Sequence, residues 1–385
     1  FLNVKLINRM KKLLLKISEY KLIFISVAFL VIFSAGCVKK NEKEIKIGAV
    51  LSLTGKAASY GDWARKGIAL AVEQLNKTDK LRFEVVQEDS GGDPKNAVSA
   101  MEKLISVNKV PVVIGFITSS EFLACAPIAE QRKIVMITPV AGAPLDRKDG
   151  SYVFRTRESG VAQSKIVADY IYNTLKIKKA SVLYENAANA IAYKDVFLDT
   201  YQSYGGQIVQ LLSYDEGQTD YRSTLAKIKA NPVDALYMPG VGKVIGQILV
   251  QANELGIKSK FFSSAGIEDP ELFRIAGEKA NGIVFGSPAF SLGSEESYMH
   301  NFIESYREYF NEDPSVYAAN AYDAIMLVAE AFKFGKRASD EIKDYLYSTS
   351  DYKGASGKIT FEKNGEVNKP VILKIIQNGQ FLPLK

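Results

Sequence analysis

Two adjacent hydroxyls, Ser119 and Ser120, stand where the chain could do chemistry. They lie in PVVIGFITSSEFLACAPIAEQRKIVMITPVAGAP, residues 111–144. Val112–Gly115 is a short apolar, β-branched run, which predicts a strand buried on both faces. Thr118 follows, with Glu121 three positions on, the pattern of a capping box that opens a helix. Ile134–Ile137 predicts a second buried strand, ended by the Pro- and Gly-broken segment Thr138–Pro144. Ser119–Ser120 and Val140–Ala141–Gly142 thus both leave carboxyl ends of strands, the side on which such sheets bind ligands. A helix N-terminus adds unpaired N–H groups and roughly half a positive charge. Together these groups could hold a carboxylate. On the residues alone the serines could equally do no more than cap the helix. Pro127 falls inside the segment, so the helix must kink there or start later than Ser120.

Other chemistries find little support. The chain has 385 residues, 47% apolar and 24% charged, which fits globular domains, two or more. Its net charge of +6 invites a nucleic-acid reading until it is located. Residues 1–36 carry Lys5, Arg9, Lys11, Lys12, Lys16 and Lys21 against Glu19, a net of +5, which leaves +1 for the rest. The basic excess is N-terminal, and nucleic-acid binding is not expected. Cys125 sits in an apolar segment and reads as core. His300, the single histidine, lies in a polar helical stretch. No Cys/His metal cluster and no nucleophile–base pair emerges, so neither an enzyme nor a cofactor is expected.

The N-terminus has its own logic. Met10-Lys11-Lys12 opens a basic region, and Leu22–Phe33 is an apolar run. Ser34-Ala35-Gly36 are small, and Cys37 follows. This predicts a lipoprotein signal over residues 1–36, with the Cys37 thiol carrying the lipid and residues 37–43 as a tether. An uncleaved membrane anchor is the alternative. Both place the remainder outside the cytoplasm.

The elements that must position the serines alternate strand and helix. Strands are predicted at Ile45–Leu51 and Leu81–Val86, with helices at Gly61–Asn76 and Pro94–Val107. A second series has strands at Ala180–Tyr184, Gln207–Leu212, Ala235–Met238, Lys260–Ser263 and Gly282–Phe285, separated by helices. Long helices at Ser294–Phe310 and Val316–Phe334 follow, then late strands at Lys358–Phe361 and Val371–Ile376. This is an α/β pattern of doubly wound parallel sheets, two lobes with a cleft between them. The Gly240–Gly246 piece fits neither phosphate-loop nor dinucleotide spacing and reads as a strand-to-helix turn.

From Ile45 to its end the chain resembles the periplasmic leucine/isoleucine/valine-binding proteins of ABC transporters. The resemblance is carried by IGAVLSLTGKAASYGDWARKGIALAVEQLN, EDSGGDPKNAV, VIGFITSS, IVMITPVAGAP, VFRT, GQILVQANELGIKSKFF and NAYDAIMLVAEAF, in that order. It implies a type I binding-protein fold: lobe 1 from 44–157 with 287–365, lobe 2 from 158–286 with 366–385. It also implies a monomer that closes on a small ligand and docks on a membrane permease. Position by position, the ligand's aromatic lid falls on Tyr60. Its carboxylate-binding serine falls on Ser119, beside Ser120, and its wrapping loop on Val140, Ala141 and Gly142, where the family usually has a threonine at the last. A late aromatic wall falls on Tyr317. In the second lobe the family's aromatic positions fall on Asn189 and Val241. The acid that pairs with the ligand ammonium falls on Ala265, next to Gly266. A buried ammonium without a partner costs several kcal/mol. Either Glu268 or Asp269 then supplies the charge, or the ligand has no ammonium. The implied function is capture of a branched-chain type amino acid, or a related carboxylate or amide, for import. The alternative is a sensor of the same fold serving a signalling receptor.

Overall fold

Runs of buried residues mark the centre of each sheet in the computed structural model, which describes residues 44–384 and Met10. The predicted signal, the Cys37 lipid site and the tether lie outside the described residues. The first sheet is parallel, in the order β2 (Phe83–Asp89), β1 (Ile45–Leu51), β3 (Val112–Gly115), β4 (Val135–Thr138), β5 (Val153–Arg155). Side chains of β3 and β4 are buried throughout, as a strand covered on both faces requires. Helix α1 (Ala58–Thr78) covers one face. Helices α2 (Pro94–Ser106) and α3 (Ser119–Arg132) cover the other, with Met101, Phe122 and Cys125 meeting Val50, Val113 and Met136. Burial there pushes the Cys125 thiol up to about 12.

After β5 the chain passes to a second sheet. It enters through α4 (Val161–Asp169) and builds β6 (Lys179–Glu185), α5 (Ala188–Ser203), β7 (Gln207–Tyr214), α6 (Arg222–Ala230) and β8 (Ala235–Tyr237). Then come α7 (Gly242–Glu254), β9 (Lys260–Ser264), α8 (Pro270–Ala276) and β10 (Val284–Pro288). The chain next returns to the first sheet with α9 (Ser297–Phe310), α10 (Val316–Lys333) and α11 (Ser339–Ser348), whose apolar faces join the core of β1, β3 and β4. Helix α10 lies so close to α1 that a Cβ on Gly67 would stand 2.1 Å from the Ala318 carbonyl oxygen. A hairpin of β11 (Tyr352–Gly354) and β12 (Gly357–Ile359) follows. A last crossing brings β13 (Val371–Gln377) and β14 (Gln380–Pro383) to the second sheet, whose order is β14-β13-β10-β9-β8-β6-β7. All these elements belong to one unit, Ile45–Lys385.

The fold is the expected α/β pair of sheets, with three corrections. The second sheet is mixed rather than purely parallel, because β13 pairs antiparallel with β10 and β14 antiparallel with β13. β13 enters beside the end at which β10 leaves the sheet, with Ala289 N–H donating to the Pro370 carbonyl, so it must run the other way. Second, the strand expected at Lys358–Phe361 stops at Ile359, where β12 pairs back on β11, and Phe361 forms a separate bridge with Val367. Third, α3 starts at Ser119 and continues through Pro127 to Arg132, so the late start does not occur. The Thr118 cap fixes the start, and Pro127 costs only local bonding in the second half of the helix.

Candidate ligand-binding site

The carboxyl ends of both sheets face one cavity of about 140 Å³. On the first sheet's side, α3 opens with the predicted box. Glu121 N–H donates to Thr118 Oγ1 at 3.3 Å, and Thr118 N–H to Glu121 Oε2 at 2.7 Å. The Glu121 side chain is fully buried and also accepts from Ser52 Oγ and Ser90 Oγ. Ser119 is buried, and its Oγ accepts from Ala143 N–H at 3.0 Å, so its hydroxyl hydrogen stays available to a ligand. Two residues before Thr118, Phe116 takes φ of 64°, a left-handed conformation that is costly for a bulky residue and is held by its N–H bond to the Val50 carbonyl.

The 139–143 loop is folded by Thr138, whose Oγ1 accepts from Ala141 N–H at 3.0 Å. Its carbonyls are taken by buried arginines: Arg155 donates to Ala141 and Ala143, and Arg157 to Val140 at 2.8 Å. Arg155 is in turn held at 3.0 Å by Glu366, which Arg147 also grips. Burial opposes the charge of Arg157, but Glu158 at 3.0 Å together with the Tyr193 and Tyr317 phenols outweighs this and holds its pKa above the ordinary guanidinium value.

Tyr60, Trp63 and Tyr317 form an aromatic cluster at the cavity. Trp63 stacks on Tyr317 with centroids 6.1 Å apart and rings 9° from parallel, and Tyr60 meets both edge-on. Both phenols reach the second sheet. Tyr60 donates to the Gly266 carbonyl, and Tyr317 to the Ala265 carbonyl at 3.2 Å. Burial raises both phenol pKa values, so each stays protonated and able to donate.

Tyr60, Ser119, Ser120, Val140, Ala141, Gly142, Asn189, Val241, Gly266 and Tyr317 all line the cavity. Ala265 does not. It is buried behind Ser264 and Gly266, and its N–H donates to Gln163 Oε1 at 3.0 Å while its carbonyl accepts from Tyr317. Nor do Glu268 and Asp269 face the cavity. Glu268 binds Lys374 at 2.7 Å and Ser287 at 2.8 Å, and Asp269 caps α8 through Glu271 N–H. The idea that either acid pairs with a ligand ammonium therefore fails.

Several wall residues escaped the sequence reading. Glu185 ends β6, and Lys56 bridges it at 3.1 Å and Glu216 at 2.7 Å, from the loop after β1. Gln163 donates to Glu158 at 2.8 Å, linking the Arg157 pair to Ala265. Tyr193, also on the wall, is one helical turn beyond Asn189. Two signals could have found them: Glu185 sits at the carboxyl end of a strand, and Tyr193 shares a helix face with Asn189. Among the described residues no three His, Cys, Asp or Glu side chains gather to hold a metal ion.

The family profile of periplasmic binding proteins matches residues 44–380. The chain is 26% identical to the leucine-, isoleucine-, valine-, threonine- and alanine-binding protein of Pseudomonas aeruginosa, over 84% of this chain and 87% of that one. Its structure superposes on a leucine-binding protein of Thermotoga maritima with a TM-score of 0.84 and 28% identity, covering 89% of this chain and 98% of the other. It also superposes on a branched-chain amino acid transporter substrate-binding protein of Streptococcus pneumoniae, in complex with isoleucine, with a TM-score of 0.80 and 31% identity, over 88% and 98%.

Proposed function

This chain belongs to the periplasmic binding protein family, and from that premise we propose that it is the solute-binding lipoprotein of an ABC importer. It captures a small amino acid of the branched-chain type, or a related carboxylate or amide, between its two sheets and presents it to a membrane permease. The relatives it matches are binding proteins of transporters and not enzymes. In this reading the lobes are 44–157 with 287–365 and 158–286 with 366–385, and Cys37 carries the lipid that keeps the protein at the membrane.

One observation carries the reading. The cavity receives hydroxyls and a capped helix N-terminus from one sheet and carbonyls, an acid and an amide from the other. A ligand that touches both sides gains contacts only when the sheets approach. That differential binding is what shifts a two-state hinge toward its closed form. The carboxylate goes to Ser119, Ser120 and the N–H groups at the start of α3. Tyr60 and Tyr317 cover the apolar part, with Trp63 packed against both. A volume of about 140 Å³ suits a small solute and excludes a peptide.

Calorimetry against aliphatic amino acids, their keto acids, amides and aromatic acids tests this. The expectation is submillimolar binding of at least one class. No heat from any of them at millimolar concentration would contradict it.

A further inference from the structure

Charge in the cleft narrows the ligand further. The cavity wall and its direct partners carry Lys56 and Arg157 against Glu158, Glu185 and Glu216, a net of −1. The supports behind the wall do not change this: Glu121 adds one negative charge, and Arg147 with Arg155 against Glu366 adds one positive. Arg157 is engaged by Glu158 and the Val140 carbonyl, so it is not a free cation for a ligand. A monoanion would enter a site that is already negative. A molecule that brings its own cation would not add to that charge.

Glu185 is the place for that cation. Its side chain is only 5% exposed, against 56% for Glu216, which water can satisfy. Lys56 reaches Glu185 Oε1, and among the described residues Oε2 receives no hydrogen bond. Glu185 lines the cavity, so a donor that enters the cavity can reach this oxygen. The anion-holding serines belong to the first sheet's side and Glu185 to the second. We propose, on the footing of the transport reading above, that Glu185 Oε2 accepts the ligand's ammonium. Glu185 thereby selects a zwitterionic amino acid over the keto acid or aromatic acid of the same size. The amino group then ties the second sheet to the carboxylate held on the first. Glu185 takes over, from another strand, the charge that Ala265 cannot supply.

The test is calorimetry on matched pairs that differ only in the amino group: leucine and 4-methyl-2-oxopentanoate, valine and 3-methyl-2-oxobutanoate, alanine and pyruvate, phenylalanine and phenylpyruvate. With wild-type protein, the best pair should favour the amino acid by about tenfold or more, as for a hydrogen bond to a charged group. In Glu185→Gln that preference should collapse toward unity. A keto acid that binds as tightly as its amino acid overturns the assignment without any variant. So does a preference that survives intact in a folded Glu185→Gln. Binding of keto or aromatic acids alone overturns Glu185 as selector but leaves the transport reading standing. Silence from all eight compounds and from the amides and aromatic acids removes the reading beneath it as well.

Discussion

Gly142 and Tyr193 explain each other. A Cβ on residue 142 would stand 2.2 Å from Tyr193 Oη, and on Gly160 it would stand 1.7 Å away. The phenol of α5 therefore fills the space that a side chain at residue 142 would need. Gly142→Ala should hold the sheets apart and weaken ligand binding by tenfold or more. Adding Tyr193→Phe, which removes the clashing oxygen, should restore part of the loss. Calorimetry on the single and double variants checks this, and a Gly142→Ala protein with unchanged affinity would contradict it. Ser119→Ala should weaken a carboxylate ligand by roughly 1–3 kcal/mol, the range for a hydrogen bond to a charged group. At this scale the sequence was legible on the first sheet's side, where Ser119 and Val140–Gly142 follow strands within a few residues. It was poorly legible on the other. The strand end at Glu185 and the helix face at Tyr193 are local signals, but the pairing of Lys56 with Glu185 spans 129 positions and leaves no local pattern.

Helix α3 shows how an element is held for a role. Its box was readable because Thr118 and Glu121 are three apart. That Glu121 also gathers Ser52 and Ser90 was not, since those contacts span 69 and 31 positions. Glu121→Ala would leave Ser52 Oγ and the Thr118 N–H without a partner and Ser90 Oγ with the Leu51 carbonyl alone, at a cost of roughly 3 kcal/mol or more. Urea unfolding measures it, and a loss under about 1 kcal/mol would show that water substitutes freely. The β13–β14 hairpin was missed, although Asn378-Gly379, both at positive φ, is a strong two-residue turn signal. The last crossing carries a pH dependence. Lys369 is buried, donating to Asn320 and Ser356, and burial pulls its pKa down to about 8, with Asp323 acting the other way. Its ordinary value is 10.5, so between about pH 8 and that value the unfolded chain holds more protons than the folded one. Lys369 thus contributes more stability as pH rises through this window. The stability difference between wild type and Lys369→Met should move toward wild type from pH 8 to 10. A difference that does not change with pH would contradict this.

At the scale of the whole molecule, the sheets meet through contacts that an opening motion must break: Tyr60 to Gly266, Tyr317 to Ala265 and Lys56 to Glu185. Trp63, the single tryptophan, packs against the first two phenols, so its fluorescence should change on ligand addition and saturate with the calorimetric isotherm. The two-sheet architecture was legible because strands and helices alternate in order along most of the chain. The mixed character of the second sheet was not, because strand direction depends on where the last crossing enters. The central claim is that a small molecule's carboxylate is gripped at the start of α3 between the two sheets. A crystal structure of the protein with its tightest ligand tests it most directly. The account predicts a carboxylate oxygen within hydrogen-bond distance of Ser119 Oγ and of the first N–H groups of α3. A ligand bound elsewhere, or held with its carboxylate turned away from Ser119, would contradict it.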